Sequence, residues 1–229
     1  MPTTRVDTDA STGSAGGQQA LILGIGNLLW ADEGFGIRAV EHLHDHYLFP
    51  ERVELLDGGT QGLNLMGPVQ AADILVLIDA VDCGRAPGTL YRIHGQEVPR
   101  LIAAHKMSLH QAGMQEVLAG AELLGRAPEH LFLVGVQPAV LDDYGGSLSE
   151  PVRGQLEPAT REVLQYLRGH GLPARPRREP ITGRRGGGSM PNGALGLATY
   201  EGQRPTPEQA WRHGDPRVLG MRGPDGSEQ

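Results

Sequence analysis

An aliphatic run, Ala20-Leu21-Ile22-Leu23, breaks into Gly24-Ile25-Gly26-Asn27-Leu28-Leu29-Trp30-Ala31-Asp32-Glu33-Gly34-Phe35-Gly36, and a segment with helical spacing follows. A glycine-rich turn between a buried strand and a helix usually signals phosphate binding, because backbone N–H groups and a helix N-terminus attract anions. Here Asp32 and Glu33 stand where a phosphate would sit. They repel a nucleotide and attract a cation. The dinucleotide fingerprint also fails on spacing, since its third glycine would fall on Leu29. The turn reads as a device for presenting a carboxylate, with no nucleotide cofactor.

The rest of the chain sets the frame for that turn. Its 229 residues suffice for one sizeable domain or a domain with long tails. Hydrophobic residues make up 39% but aromatics only 4%, so the core must be mostly aliphatic. A single cysteine, Cys83, excludes an intrachain disulfide and a cysteine-rich metal knuckle, which fits a reducing cytoplasm. Nothing at the N-terminus resembles a signal peptide, and no apolar run approaches the roughly 18–20 residues that cross a bilayer. A cytoplasmic protein without a membrane segment is expected. From residue 170 onward nine arginines face six acids, whereas residues 1–169 hold eleven basic residues against twenty-one acids. That acidic body argues against sequence-independent binding of nucleic acid.

Three regions follow from composition. Residues 1–18 are rich in Thr, Asp, Ser, Gly and Gln and are expected to be disordered. Residues 19–170 hold the folded domain. Residues 171–229, with Pro173, Pro176, Pro180 and the run Gly183-Arg184-Arg185-Gly186-Gly187-Gly188, read as a flexible Gly/Pro/Arg-rich tail. Within the domain, candidate strands are Leu21–Ile25, Val53–Leu56, Ile74–Ile78, Leu90–Ile93 and Leu131–Val136. Helical patterns cover Phe35–Tyr47, Leu63–Gln70, His110–Leu124 and Val152–Arg168, the last kinked or divided by Pro158. Continuous aliphatic strands alternating with helices predict a three-layer α/β/α fold: a twisted, mostly parallel sheet of about five strands with helices on both faces.

In such sheets ligands bind beyond the carboxyl ends of the strands. The first strand leads there to Asp32 and Glu33, the second to Asp57-Gly58-Gly59-Thr60 and the third to Asp79-Ala80. In Lys106-Met107-Ser108-Leu109-His110-Gln111, Ser108 and Gln111 match a capping box that puts His110 in the first turn of a helix. The helix dipole there favours the neutral imidazole, the form that binds a metal. Two carboxylates and a histidine make a mixed oxygen and nitrogen site for a divalent transition metal. Each also has an ordinary explanation, since an acid at a strand end often caps a helix or bonds a turn.

Other candidates are weaker. His42, His44 and His46 include an i,i+4 pair but lie beside Glu41 and Asp45 on what reads as a solvated helix face. Asp82 would raise the pKa of Cys83, which opposes a thiol mechanism. Ser147 and Ser149 lack a nucleophile-elbow context, and Ser149 reads as a helix cap.

Taken together, Gly24-Ile25-Gly26-Asn27 with Asp32-Glu33, Leu56-Asp57-Gly58-Gly59-Thr60, Ile78-Asp79-Ala80, Pro87-Gly88-Thr89, Lys106–Gly113 and Leu133-Val134-Gly135-Val136-Gln137-Pro138 resemble the [NiFe]-hydrogenase maturation endopeptidases. The resemblance spans about residues 20–170. It implies an enzyme that removes a short C-terminal extension from the hydrogenase large-subunit precursor after nickel insertion. It places metal contacts on Glu33, Asp79 and His110, with Asp57 a further acid near the site, and it implies nickel delivered by the substrate rather than permanently held. Leu109 stands where many relatives have proline, and the single cysteine matches no functional position. A non-catalytic metal-binding checkpoint or chaperone for the large subunit would use the same ligands.

Overall fold

The computed structural model describes residues 17–104, 109–181 and 195–204, with the backbone alone for 109–112. Its sheet is built from β1 (Ala20–Ile25), β3 (Val53–Gly59), β4 (Ile74–Ala80), β5 (Leu90–His94) and β6 (His130–Val136), in the order β3-β1-β4-β6-β5. All neighbours are parallel except β5, which runs antiparallel to β6. The reason lies in the link from β4. A parallel return needs a crossover of about a dozen residues or more, usually a helix. Residues 81–89 carry no helix, so β5 starts at the edge where β4 ends.

Alternate residues of the central strands feed two aliphatic cores. Ile22, Ile74, Val76, Ile78, Val134 and Val136 face α1 (Phe35–His46) and α6 (Leu156–Gly169). Leu21, Leu23, Leu75, Leu77 and Leu133 face α2 (Met66–Ala71), α3 (Glu97–Ala104) and α4 (Leu109–Leu123). Strands covered on both sides need no polar alternation, which is why they read as unbroken aliphatic runs. The three-layer α/β/α reading is correct.

Two helical expectations change. The run predicted over Val152–Arg168 is α5 (Glu150–Arg153) followed by α6, and the break falls at Gly154-Gln155. Pro158 therefore sits in the first turn of α6, where a backbone N–H has no helical partner to lose. The sequence reading also missed α3, whose Pro99 lies early in the helix for the same reason.

Part of the tail packs. Leu172 is buried, β7 (Arg175–Pro176) pairs with β2 (Tyr47–Leu48), and the Ile181 N–H donates to the Asp45 carbonyl. Beyond it, α7 (Leu197–Gln203) lies near α1 and α5. The expectation of a flexible tail over 171–229 does not fit residues 171–181 and 195–204. Composition hid this because the docking combines isolated apolar residues, Leu172 and Leu197, with backbone groups and ion pairs rather than a periodic apolar stripe. No helix among the described residues is long and apolar enough to cross a membrane.

Candidate active site

The glycines of the first turn serve helix–strand packing. A Cβ on Gly24 would lie 2.4 Å from the Gly36 carbonyl oxygen, and one on Gly36 would lie 2.1 Å from that of Ile78. The first turn of α1 thus rests directly on β1 and β4. Gly26 has φ +137°, and its Cβ would overlap the Glu33 carbonyl oxygen at 1.8 Å. That close approach lets the Asn27 N–H donate to the Glu33 carbonyl at 3.1 Å, while the Gly26 N–H donates to Gly59 at 3.2 Å. The Asn27 side chain accepts from the Leu29 N–H, and Ala31 takes a positive φ of 38°, a strained region for a residue with a Cβ. The loop is over-determined, and it fixes the backbone of Glu33.

Asp32 and Glu33 have opposite surroundings. Asp32 is fully buried, and its carboxylate accepts four hydrogen bonds: from the Ala139 and Val140 N–H groups, each at 2.8 Å, and from the N–H and hydroxyl of Ser149 at 2.7 and 2.9 Å. It ties the β1–α1 turn to the loop after β6. Ser149 does precede α5, but its hydroxyl serves Asp32 rather than capping that helix. Glu33 lies in the 3-10 turn Ala31–Gly34, which packs against β4, and is half-buried. Its carboxylate has no hydrogen bond or ion pair among the described residues, and burial pushes its pKa up.

Asp79 ends β4 at the same edge. It is 3% exposed and accepts from the Ala80 N–H at 2.8 Å. Asp57 lies opposite Gly24 in β3, just before the register slips so that Ile25 pairs with Gly59. Bulges of this kind re-aim side chains next to functional sites. The Asp57 carboxylate accepts from the Gly59 N–H at 2.9 Å, and burial raises its pKa despite that bond. Glu33, Asp79 and Asp57 therefore share the carboxyl edge of three adjacent strands.

His110 lies in the first turn of α4, but its side chain falls outside the described residues, as does the capping box begun by Ser108. Topology still locates the turn. One turn further along, a Cβ on Gly113 would lie 2.9 Å from the Gly62 Cα, and Gly62 opens the short 3-10 turn just after β3. The start of α4 thus stands above the carboxyl end of the sheet. Among the described residues, no three His, Cys, Asp or Glu side chains form a metal-holding group.

The sequence reading missed Gln137 as a structural hub. Its side-chain oxygen accepts from the Cys83 and Arg85 N–H groups and the Tyr91 hydroxyl, and its amide nitrogen donates to Asp82 at 2.8 Å. The loop after β4 is thereby pinned to the strand that follows α4. A buried glutamine before proline was the available signal, since a buried amide must satisfy its donors and acceptors. Burial raises the Cys83 thiol, and Tyr91 beside it is pushed up to about 12 by burial and by that thiol. Both stay neutral at ordinary pH. On α1, His46 bonds the His42 carbonyl, the two rings stack at 4.1 Å, and His44 pairs with Asp45.

A family model described as hydrogenase maturation protease matches residues 37–166. A hydrogenase expression/formation protein HupM of Azotobacter chroococcum mcd 1 is 53% identical over 203 residues, covering 89% of this chain and 94% of its own. A span of that length reaches α7. The hydrogenase 2 maturation protease of Escherichia coli strain K12 is 42% identical over 158 residues, covering 69% of this chain and 95% of its own. The solved structure of the hydrogenase maturating endopeptidase HybD from E. coli superimposes with a TM-score of 0.67 at 41% identity, covering 69% of this chain and 98% of its own. Sequence and fold agree across the domain that carries Glu33, Asp57 and Asp79: the chain belongs to the hydrogenase maturation protease family, a family of peptidases.

Proposed function

We propose that this chain is the cytoplasmic endopeptidase that removes the C-terminal extension of a [NiFe]-hydrogenase large-subunit precursor once nickel has been inserted. Glu33, Asp79 and His110 bind the nickel that the precursor carries, and Asp57 shapes the edge beside them. The observation that carries this reading is Glu33. A half-buried carboxylate without a cation among the described residues loses hydration and gains nothing back. A metal ion arriving on the substrate supplies the missing partner.

The donor set suits that task. Two carboxylates and an imidazole leave coordination positions for ligands contributed by the substrate. Delivery of the ion by the precursor makes its loading a condition for docking the scissile peptide. A ligated ion polarises a carbonyl or activates water, and a carboxylate beside it can take the proton of that water. Asp79 is held for either role by its strand-end position and its bond to the Ala80 N–H.

The test is the mass of a candidate large subunit before and after exposure to the protein. The nickel-loaded precursor should lose its extension, and the nickel-free precursor should keep it. Glu33→Gln, Asp79→Asn and His110→Ala should each reduce cleavage by about 100-fold or more, the range over which a positioned acid, base or ligand acts. Normal processing by all three variants would overturn the assignment.

A further inference from the structure

The tail helix α7 reaches the loop that borders the site. Glu201 pairs with Arg153 and accepts from the Ser147 hydroxyl, Arg204 pairs with Asp143 at 3.2 Å, and the Tyr200 hydroxyl approaches the Gly146 carbonyl. These four partners lie on α5 or in the segment 143–147 that leads to it. The same segment carries Tyr144, which bridges to Trp30 and meets its ring edge-on at 5.3 Å. The Gly145 N–H donates to the Leu29 carbonyl at 2.7 Å. Trp30 in turn accepts from the Glu33 N–H at 2.9 Å.

A continuous run of contacts therefore leads from Glu201 to Glu33. The loop is gripped on two sides: Asp32 holds Ala139, Val140 and Ser149, and the tail holds Asp143, Gly146 and Ser147. Between these grips Tyr144 is 55% exposed, with Trp30 at 36% and Leu29 at 43%. This apolar wall, on and against the loop that carries Glu33, has the character that anchors a peptide, with rigid aromatic rings of large area and few rotatable bonds. Glycine at 145, with φ +73°, and at 146 gives the loop little stiffness of its own.

We infer that Glu201, with Arg204, is a positioning residue: by clamping the segment Asp143–Ser147 it holds Tyr144 against Trp30, and so sets the wall on which the precursor peptide docks. The docking half of this inference rests on the proposed function; the clamping half does not. Glu201 touches no reacting atom and acts only through the loop. Its loss should weaken substrate capture while leaving the chemistry at Glu33 and Asp79 intact.

The experiment uses the full-length chain with Trp211→Phe, so that Trp30 is the sole indole emitter. Adding Glu201→Ala should raise acrylamide quenching of Trp30 about twofold and raise KM for nickel-loaded precursor about tenfold, equivalent to about 1.4 kcal/mol of binding, with kcat within about twofold. Glu201→Gln, which keeps a bond to Ser147, should fall between the two. Arg153→Ala added to Glu201→Ala should have little further effect, because the two share one ion pair and the Arg153 side chain otherwise makes only a 3.5 Å bond to the Leu148 carbonyl among the described residues. Arg204→Ala is read in the same way if Glu201→Ala does not fold. Unchanged Trp30 quenching in a folded variant would overturn the inference, and so would a loss confined to kcat. Altered quenching in a protein that cleaves no precursor would uphold the clamp and defeat the proposed function instead.

Discussion

Two regions of this molecule gather carboxylates, and they treat them in opposite ways. At the tail interface Glu201 faces Arg153 and the Ser147 hydroxyl, which hold its pKa below the usual range, and Asp143 faces Arg204. At the carboxyl edge of the sheet, burial raises the pKa of both Glu33 and Asp57, and the described residues offer Glu33 no cation. Acids provided with cations hold a structure together. An acid left half-buried with no cation among the described residues, as Glu33 is, is ready for a ligand that supplies positive charge. The contrast narrows to a single peptide bond between Asp32, whose carboxylate accepts four hydrogen bonds, and Glu33.

Substitutions at that peptide bond should give the largest effects and separate the two kinds of acid. Glu33→Gln should lose processing as described yet leave thermal stability within about 0.5 kcal/mol, because a half-buried side chain with no partner among the described residues ties nothing in place. Asp32→Ala should instead lower stability by about 3 kcal/mol, since it strands four donors in a buried site. Denaturant melts of the two variants decide the matter. Equal destabilisation would erase the distinction.

A smaller effect should appear with acid. Because the folded pKa of Glu201 lies below its unfolded value, its pairing stabilises the docked tail above the ordinary glutamate value of 4.5. That contribution is lost as pH falls through the lower, folded value. Trp30 quenching in the Trp211→Phe background should therefore rise on acidification below that point. The rise should be absent in Glu201→Gln, whose side chain does not titrate. A variant that follows the same curve would assign the transition to another group.

The smallest effect is expected at Cys83. With its thiol pKa raised by burial, it should alkylate slowly at neutral pH, and Cys83→Ser should leave processing within about twofold. A large loss would bring thiol chemistry back to a site where burial outweighs the pull of Arg85 on the thiol.

Much of the sheet was legible because aliphatic continuity reports burial on both faces. Leu21–Ile25 and Ile74–Ile78 fall within β1 and β4, the first one residue short at its start and the second two short at its end. The antiparallel direction of β5 was not legible, since it follows from the length of a link and not from the strand's own residues. Of the site, the strand-end positions of Glu33, Asp57 and Asp79 were readable as soon as the strands were. The separate fates of Asp32 and Glu33 were not, because what distinguishes them is a set of donors from Ala139, Val140 and Ser149, more than a hundred residues away. Gln137 and Glu201 stayed hidden for the same reason.

The sequence by itself determined the layered α/β/α fold and which acids end its strands, because hydrophobic periodicity and strand boundaries are local properties of the chain. Only the tertiary structure decided which of those acids is a fastener and which is left open, and that a Gly/Pro-rich tail grips the loop beside the site. Satisfaction of a buried charge depends on what surrounds it in space, and no local pattern encodes neighbours that arrive from the far end of the chain.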